Sequence, residues 1–461
     1  MNTTPYNMVF IDDGLGDKAQ PRYQNRRNKL AQKTQCLTII LSPTNSAQDL
    51  NTWDHYTPQI YQDPLMLHLT GINQLKTALI LDPQSPKNQP KEILFLPKKD
   101  PKLEFWTGTK LSYSHSLITE QTITGIKDIR DISTLDQFII SRLKNKESNI
   151  CIQWQQNKNK KKIIKDYNYQ FRNHLKYLLK KHSLPKTTII NIATITWQIR
   201  NNNDQQAINS IINGNKINGE ILTKLLKKAR NFKTETNIAS FLDGEIANYS
   251  YLRNSFSSIV AAGRNATILH YTKNNELINP NSLVLLDFGI RTHSMNTDIS
   301  RTFPISGKFN ILQRIIYQII LDTQNLIEKN ASPKVSIQDL DKICWDFINS
   351  ELEKQLISKG CQVLLPYKYA PHKVSHLLGL AVHDGDPFGE YRNDKLKPGW
   401  IISNEPGVYG RFSMEIDGKE YSEFIGVRIE DNLLITKTGC QNLSTTCPKT
   451  INDIESIMSK L

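Results

Sequence analysis

Short runs of apolar residues, and longer stretches with apolar positions three or four residues apart, divide this chain into predicted strands and helices. The short runs predict buried strands at 78–81, 93–96, 188–195, 282–286 and 297–303. The helical spacing predicts helices through 163–178, 208–225, 311–319 and 340–347, with Pro185 ending the first. We place a domain boundary near residue 190, which gives domains at 1–190 and 191–461.

Two aspartates lie on the strands of a predicted hairpin. Asp287 follows the apolar run 282–286, Asp298 lies in the alternating run 297–303, and the polar stretch 291–296 supplies the turn. Such a hairpin would bring the two carboxylates together. Taken alone, each aspartate would more often be a turn or cap residue.

Three later residues extend this pair into a set suited to metal ions. His376, Glu405 and Glu430 follow in order along the chain. A carboxylate-rich set with one imidazole suits a pair of divalent cations and indicates metal-assisted hydrolysis. The spacing of His372 and His376 would also allow a zinc-protease helix, but Lys373 occupies the place of its catalytic glutamate.

The second half carries short motifs in a fixed order: LHYT at 269–272, DISRTFP at 298–304, HLLGLAVHD at 376–384, EPG at 405–407 and VRIED at 427–431. In this order they resemble the superfamily of methionine aminopeptidase, prolidase and aminopeptidase P, peptidase family M24. The resemblance implies an α+β fold, with a pita-bread catalytic domain at 191–461.

The first half indicates a subclass of this superfamily. The segments at 53–56, 61–63, 69–73 and 105–108, together with the strands at 78–81 and 93–96, resemble the amino-terminal α/β domain of aminopeptidase P, which is of the creatinase type. Methionine aminopeptidases generally lack this domain, and creatinase lacks the metal ligands. The chain therefore resembles the Xaa-Pro aminopeptidases more than either.

The resemblance implies a role for each site residue. Two ions, by family expectation manganese, would be bridged by Asp298 and Glu430, with Asp287 on one ion and His376 and Glu405 on the other. Glu405 would also transfer a proton. The expected catalytic residues are His270, His372, His383, Glu405 and Arg428, of which only Glu405 is also an expected metal ligand.

The implied reaction is release of the N-terminal residue from peptides with proline at the second position, by attack of a metal-bound hydroxide on the Xaa-Pro carbonyl. Three alternatives remain open. The chain could be a prolidase that cuts only Xaa-Pro dipeptides, a pita-bread binding protein without peptidase activity, or a nucleic-acid-binding protein.

Several residues depart from the family pattern. Lys373 stands where a glycine is usual between the two histidines, and a long cation there could crowd the cleft. His293, Ser294 and Met295 replace glycine and aromatic residues at the hairpin turn, and 65–68 lacks the usual aromatics. We expect the changes in the turn to leave the metal ligands intact.

Charge and cysteine content bear on partners and compartment. The net charge is +14 over 461 residues, but the densest basic run, 158–165, lacks the aromatics of a nucleic-acid stacking surface, so no specific nucleic acid is expected. The six cysteines are scattered, which predicts reduced thiols. No apolar stretch suggests a signal peptide or membrane span, so we expect a cytoplasmic protein, and the family suggests a dimer or tetramer.

Overall fold

The computed structural model describes residues 20–43, 62–114, 116–145, 149–184, 186–249 and 253–459. Its two compact units are Met1–Arg200 with Asp386–Glu390, and Asn201–Gly385 with Tyr391–Leu461. The domain boundary near residue 190 stays a prediction. The segment 53–56, residue Tyr61 and Pro185 lie outside the described residues.

The first unit contains a six-stranded mixed sheet with strand order β4-β3-β2-β1-β5-β6. Its strands are β1 Leu37–Leu41, β2 Ala78–Leu81, β3 Glu92–Leu96, β4 Asp128–Asp131, β5 Ile150–Ile152 and β6 Ile189–Asn191. Its helices are α1 Gln20–Thr34, α2 Pro64–Thr70, α3 Pro101–Thr107, α4 Ile118–Thr124, α5 Leu135–Asn145, α6 Tyr167–Lys181 and α7 Ala193–Arg200.

Both faces of this sheet are buried at its central strands, which explains the unbroken apolar runs at 78–81 and 93–96. Along β2, Leu79 and Leu81 enter one apolar cluster, while Ala78 and Ile80 enter the cluster on the opposite face. Successive side chains of a strand point to opposite faces, so a sheet covered on both sides needs an unbroken apolar run. The predicted strands at 78–81 and 93–96 are confirmed.

Two predicted elements of the first unit have different bounds. The helix predicted from residue 163 begins at Tyr167, because the carboxylate of Asp166 accepts the backbone N–H of Tyr169 and caps the helix. The strand predicted at 188–195 ends at Asn191. A helix then begins at Ala193, whose N–H is accepted by the Asn191 side chain.

The prediction that all cysteines are reduced is wrong for one pair. Cys36 and Cys151 form a disulfide, with Cα atoms 6.1 Å apart. Strands β1 and β5 are parallel neighbours and pair Thr38 with Cys151, which brings together two residues 115 positions apart in sequence. Linear spacing carries no sign of this contact. Cys344, Cys361, Cys440 and Cys447 are free.

The second unit contains four three-stranded antiparallel sheets, with orders β11-β10-β7, β12-β9-β8, β13-β15-β16 and β14-β17-β18. Its strands are β7 Arg253–Asn254, β8 Ile259–Ala262, β9 Leu283–Phe288, β10 Ile290–Thr292, β11 Met295–Asn296, β12 Ile299–Pro304, β13 Gln362–Leu364, β14 Ile401–Asn404, β15 Gly407–Ile416, β16 Lys419–Arg428, β17 Asp431–Ile435 and β18 Cys440–Asn442. Its helices are α8 Gln205–Lys228, α9 Glu235–Ala247, α10 Ile311–Asn330, α11 Ile337–Gln355 and α12 Ile451–Ser459.

The predicted hairpin is present. Strands β9 and β12 pair antiparallel, with Asp287 opposite Ser300, and the turn residues His293 and Ser294 have positive φ angles of 48° and 67°. A Cβ at Gly289 would collide with the Thr297 carbonyl oxygen, so a glycine is required where the hairpin strands approach. The helices predicted at 208–225, 311–319 and 340–347 lie within α8, α10 and α11.

No helix in the described part of the chain combines the length and apolar character needed to cross a bilayer.

Candidate metal centre

Five segments of the second unit supply the four acidic residues and the histidine of the centre. Asp287 lies in β9, Asp298 directly precedes β12, Glu405 follows β14, and Glu430 lies between β16 and β17. His376 belongs to an extended segment rather than a helix: Leu377 pairs with Ile402 of β14. This excludes the zinc-protease helix that the spacing of His372 and His376 would allow.

These segments bring their side chains to one buried place. Donor atoms of Asp298, His376 and Glu430 all lie within 4.8 Å of one another. The His376 Nε2 atom is 3.5 Å from an oxygen of Asp298 and 3.5 Å from an oxygen of Glu405. Asp287 is joined to the group by Arg428, whose guanidinium lies 2.6 Å from its carboxylate.

The orientation of His376 is set by its neighbours. The ring Nδ1 is 3.1 Å from the carbonyl oxygen of Leu377 and donates to it, which directs Nε2 toward the carboxylates. The His376 N–H donates to the Ser403 hydroxyl, and that hydroxyl donates to Glu405. Ser403 thus holds two of the five residues in one arrangement.

Burial and mutual repulsion shift the acid groups. Burial, followed by the charges of Asp287 and Glu405, raises the pKa of Asp298 well above its usual value. Burial and the charge of Asp298 do the same to the pKa of Glu430. Burial also acts to raise the pKa of Glu405. The positive charges of His376, His372 and Arg428 outweigh this effect and hold that pKa below its usual range.

The donor set fits divalent cations. Four carboxylates face a single guanidinium here, so negative charge is in excess. One oxygen of Asp287 and one of Glu430 are buried and have no hydrogen-bond donor among the described residues. Unpaired buried carboxylate oxygens are costly unless a cation satisfies them, and oxygen ligands with one imidazole suit manganese, iron, cobalt or zinc.

The three remaining histidines are placed differently from one another. His372 is bonded at both nitrogens, with the Lys373 carbonyl oxygen and the Tyr409 hydroxyl each at 2.9 Å. The His383 ring centroid lies 4.3 Å from that of His376, and burial of the ring, with the His376 charge, lowers the pKa of His383 to about 4. His383 is therefore neutral at ordinary pH. His270, by contrast, is exposed.

Two residues at the centre have no role in the sequence analysis. The Ser300 hydroxyl donates to Glu430 at 2.9 Å and accepts from Arg428 at 2.7 Å. The Tyr409 hydroxyl accepts from Arg428 at 3.1 Å. Ser300 lies two positions after Asp298 on a predicted strand, so the alternation of a strand could have predicted that both side chains share one face. Tyr409 follows the EPG motif, and no pattern in the sequence marks it as part of the centre.

Lys373 does not crowd the centre. Its ammonium lies 3.2 Å from the carboxylate of Asp341, and its side chain is 56% exposed. The concern that a long cation between the histidines would crowd the cleft is therefore not supported by its position.

Comparison with known proteins bears on the family and the fold of the chain. The family model for metallopeptidase family M24 matches residues 209–437, and the model for the aminopeptidase P N-terminal domain matches residues 23–151. Xaa-Pro aminopeptidase 3 of Rattus norvegicus is 27% identical over 405 residues, covering 87% of this chain and 77% of the relative. Xaa-Pro aminopeptidase of Haemophilus influenzae is 29% identical over 404 residues, covering 86% and 88%.

Solved structures show the same fold. Aminopeptidase P of E. coli with the inhibitor Pro-Leu superposes with a TM-score of 0.78 at 25% identity, covering 95% of this chain and 98% of that chain. The zinc-substituted form of that enzyme in complex with product gives the same TM-score, identity and coverage. The predicted α+β architecture, an aminopeptidase P-type N-terminal domain before a pita-bread domain, is confirmed. The chain belongs to metallopeptidase family M24 and is a metalloaminopeptidase of that family.

Proposed function

We propose that this metalloaminopeptidase releases the N-terminal residue from peptides that carry proline at the second position, using two divalent ions. The observation that carries the proposal is the convergence of Asp298, His376 and Glu430, whose donor atoms lie within 4.8 Å of one another. A Glu405 oxygen lies 3.5 Å from His376, and Asp287 and Glu430 each have an unpaired buried oxygen. The names of the relatives support the Xaa-Pro specificity. The proposed ligands are Asp287, Asp298, His376, Glu405 and Glu430.

When bound, two such ions activate a water for attack on the peptide carbonyl carbon. We propose manganese from the family resemblance, and Asp298 and Glu430 would be among the residues that hold it. The donor set itself does not separate manganese from zinc, iron or cobalt.

Glu405 is proposed to move the proton. His376, His372 and Arg428 keep its carboxylate charged, so it is ready to accept a proton from the attacking water. It then delivers that proton to the proline nitrogen, which has no hydrogen of its own and cannot leave as an anion.

The histidines are proposed to contact the substrate. Neutral His383 can donate a hydrogen bond to the carbonyl oxygen as charge develops on it, while exposed His270 lies at the solvent side. Contact by the His372 Nε2 atom requires the substrate to replace the Tyr409 hydroxyl. Arg428 is proposed to act by holding Asp287 rather than by touching substrate.

A peptide panel tests the specificity. The metal-loaded protein should release the first residue from an Xaa-Pro-Yaa tripeptide, and should leave the matched Xaa-Ala-Yaa peptide largely intact, as followed by mass spectrometry. Cleavage of the Xaa-Pro dipeptide alone would instead show a prolidase. Equal cleavage of the proline and alanine tripeptides would contradict the proposed specificity.

Metal affinity should rise with pH. Asp298 and Glu430 hold protons to a higher pH than ordinary carboxyls, so an ion must displace those protons on binding. Raised native pKa values also mean that the metal-free protein loses stability as pH rises through them. Calorimetric titration with Mn²⁺ between about pH 5 and pH 8, in two buffers of different ionisation heat, should show proton release and tighter binding at higher pH. Binding that is independent of pH would contradict this.

We also propose that the protein is cytoplasmic and forms a homo-oligomer of two or four subunits, as expected from the sequence. Four free cysteines are consistent with a reducing compartment, whereas the Cys36–Cys151 disulfide is the feature that argues against one. Trapping of thiols in intact cells by rapid alkylation tests the compartment: a reduced Cys36–Cys151 pair supports the cytoplasm.

A further inference from the structure

Lys373 and Asp341 form an ion pair beside the metal centre. Asp341 lies on α11 and its side chain is 8% exposed, whereas the Lys373 side chain is largely in solvent. Apart from this ammonium, the Asp341 Oδ2 atom has no hydrogen-bond donor among the described residues. Lys373 is thus the cation that forms an ion pair with this buried carboxylate, while the charge of Arg392 acts on it as a smaller effect.

The other oxygen of Asp341 holds the backbone. Its Oδ1 accepts the N–H of Val374 at 2.7 Å. A single carboxylate therefore fixes the side chain of residue 373 and the main chain of residue 374, between His372 and His376. Charge-assisted hydrogen bonds of this length are among the strong ones in proteins.

The same face of α11 makes two further contacts with this part of the chain. Trp345, one turn after Asp341, packs its ring edge-on against the His372 ring with centroids 5.4 Å apart. Asn349, one turn further, donates to the carbonyl oxygen of Tyr369 at 3.2 Å. We call Asp341, Trp345 and Asn349 the positioning face.

The segment that this face contacts, residues 369–374, lies just before the proposed ligand His376 and is bonded to Glu405. The Val374 carbonyl oxygen accepts the N–H of Glu405 at 3.0 Å. Two residues after Val374, His376 is bonded to Ser403, which also donates to Glu405. A shift of the main chain at Val374 would therefore displace His376 and Glu405 together.

We propose that Asp341 is a positioning residue for the metal centre, that it acts through the N–H of Val374, and that Lys373 serves it by supplying the matching charge. This inference rests on the proposed function for its kinetic effects and on the proposed ligand His376 for its effect on metal binding. On this proposal Lys373 stabilises the metal centre indirectly, through its ion pair with Asp341.

The test compares Asp341→Ala, Asp341→Asn, Lys373→Met and the double variant Asp341→Asn with Lys373→Met. Lys342→Met is the matched control, since Lys342 is an exposed lysine on the same helix that pairs with Asp346. Each variant is assayed for kcat and KM on an Xaa-Pro-Yaa tripeptide, for Mn²⁺ affinity by calorimetry, and for thermal stability.

Asp341→Ala should lower kcat by about tenfold to a hundredfold with little change in KM, because small displacements of catalytic groups have effects of this size. It should also weaken Mn²⁺ binding by about tenfold or more, as loss of support around ligands does. Asp341→Asn keeps an acceptor for Val374 and should recover most of both losses. Lys373→Met should lower kcat by itself but have little effect in the Asp341→Asn background, since no buried charge then remains unpaired.

Three results would overturn the inference. In the first, Asp341→Ala keeps the kcat and Mn²⁺ affinity of the unsubstituted protein. In the second, Asp341→Asn is as impaired as Asp341→Ala and both lose activity only in proportion to stability, which shows a merely structural role. In the third, Lys373→Met raises kcat, which shows that Lys373 obstructs the cleft. If the unsubstituted protein cleaves no proline peptide, the proposed function fails, and the Mn²⁺ affinities still decide on Asp341.

Discussion

Replacement of Asp298 by asparagine is expected to abolish peptidase activity and at the same time to stabilise the metal-free protein. Burial, followed by the charges of Asp287 and Glu405, raises the pKa of the Asp298 carboxyl. Asparagine has the same shape without the charge, so it removes repulsion that the Arg428 guanidinium offsets only in part. We expect the metal-free variant to melt at a higher temperature than the metal-free unsubstituted protein, because the repulsion that acts on Asp298 is gone.

The same substitution removes a proposed metal ligand. We expect kcat/KM to fall by roughly a thousandfold or more, the scale on which loss of a central catalytic group acts. The stabilising effect of added Mn²⁺ on the melting temperature should disappear as well. Activity assays and thermal melts, each with and without Mn²⁺, measure all three effects.

The control is Asp322→Asn, at an exposed position on α10. It should change neither activity nor the response to Mn²⁺. Retained activity in Asp298→Asn would show that Asp298 is no ligand. Lost activity together with a lower melting temperature of the metal-free variant would indicate a folding defect and contradict the electrostatic argument.

Replacement of Arg428 by methionine should have the opposite effect on stability. The guanidinium is buried and bonds Asp287 at 2.6 Å, Ser300 at 2.7 Å and Tyr409 at 3.1 Å. Its loss leaves the Asp287 carboxylate buried without its cation, which should destabilise the metal-free protein by about 3–5 kcal/mol. Lysine at this position keeps the charge but cannot bond three partners in a fixed plane, so Arg428→Lys should recover only part of the loss.

Metal ions should rescue Arg428→Met in part. The variant centre has more uncompensated negative charge, so Mn²⁺ should raise its melting temperature by more than that of the unsubstituted protein. Chemical denaturation with and without Mn²⁺ measures this, and Arg411→Met, an exposed arginine on β15, provides the control. A loss no greater than that of the control would show that Arg428 does not hold the centre together.

Local pattern was enough to predict the hairpin of the centre. An apolar run before Asp287, alternation after Asp298 and polar residues between them lead to paired strands, because these signals lie within one short stretch of chain. The approach of His376, Glu405 and Glu430 to this hairpin is a tertiary contact. It was inferred from the order of motifs and the resemblance, since no periodicity in the sequence encodes it.

Other contacts were out of reach for the same reason. The Cys36–Cys151 bond depends on β1 and β5 being neighbours, and the start of α6 depends on the cap at Asp166 rather than on the apolar spacing of Ile163 and Ile164. From the sequence alone, Lys373 is expected to be a group that could enter the cleft. Asp341 lies on a helix earlier in the chain, and only its position in the fold shows that the Lys373 ammonium is directed to a buried carboxylate.

Titration of metal-stripped protein with Mn²⁺, while release of the first residue from an Xaa-Pro-Yaa tripeptide is followed, tests the central claim most directly. The account predicts no activity without metal, activity that rises with added Mn²⁺, saturation at two ions per chain, and no activity in Asp298→Asn at any Mn²⁺ concentration. Full activity of the stripped protein, or saturation with Mn²⁺ without release of the first residue, would contradict it.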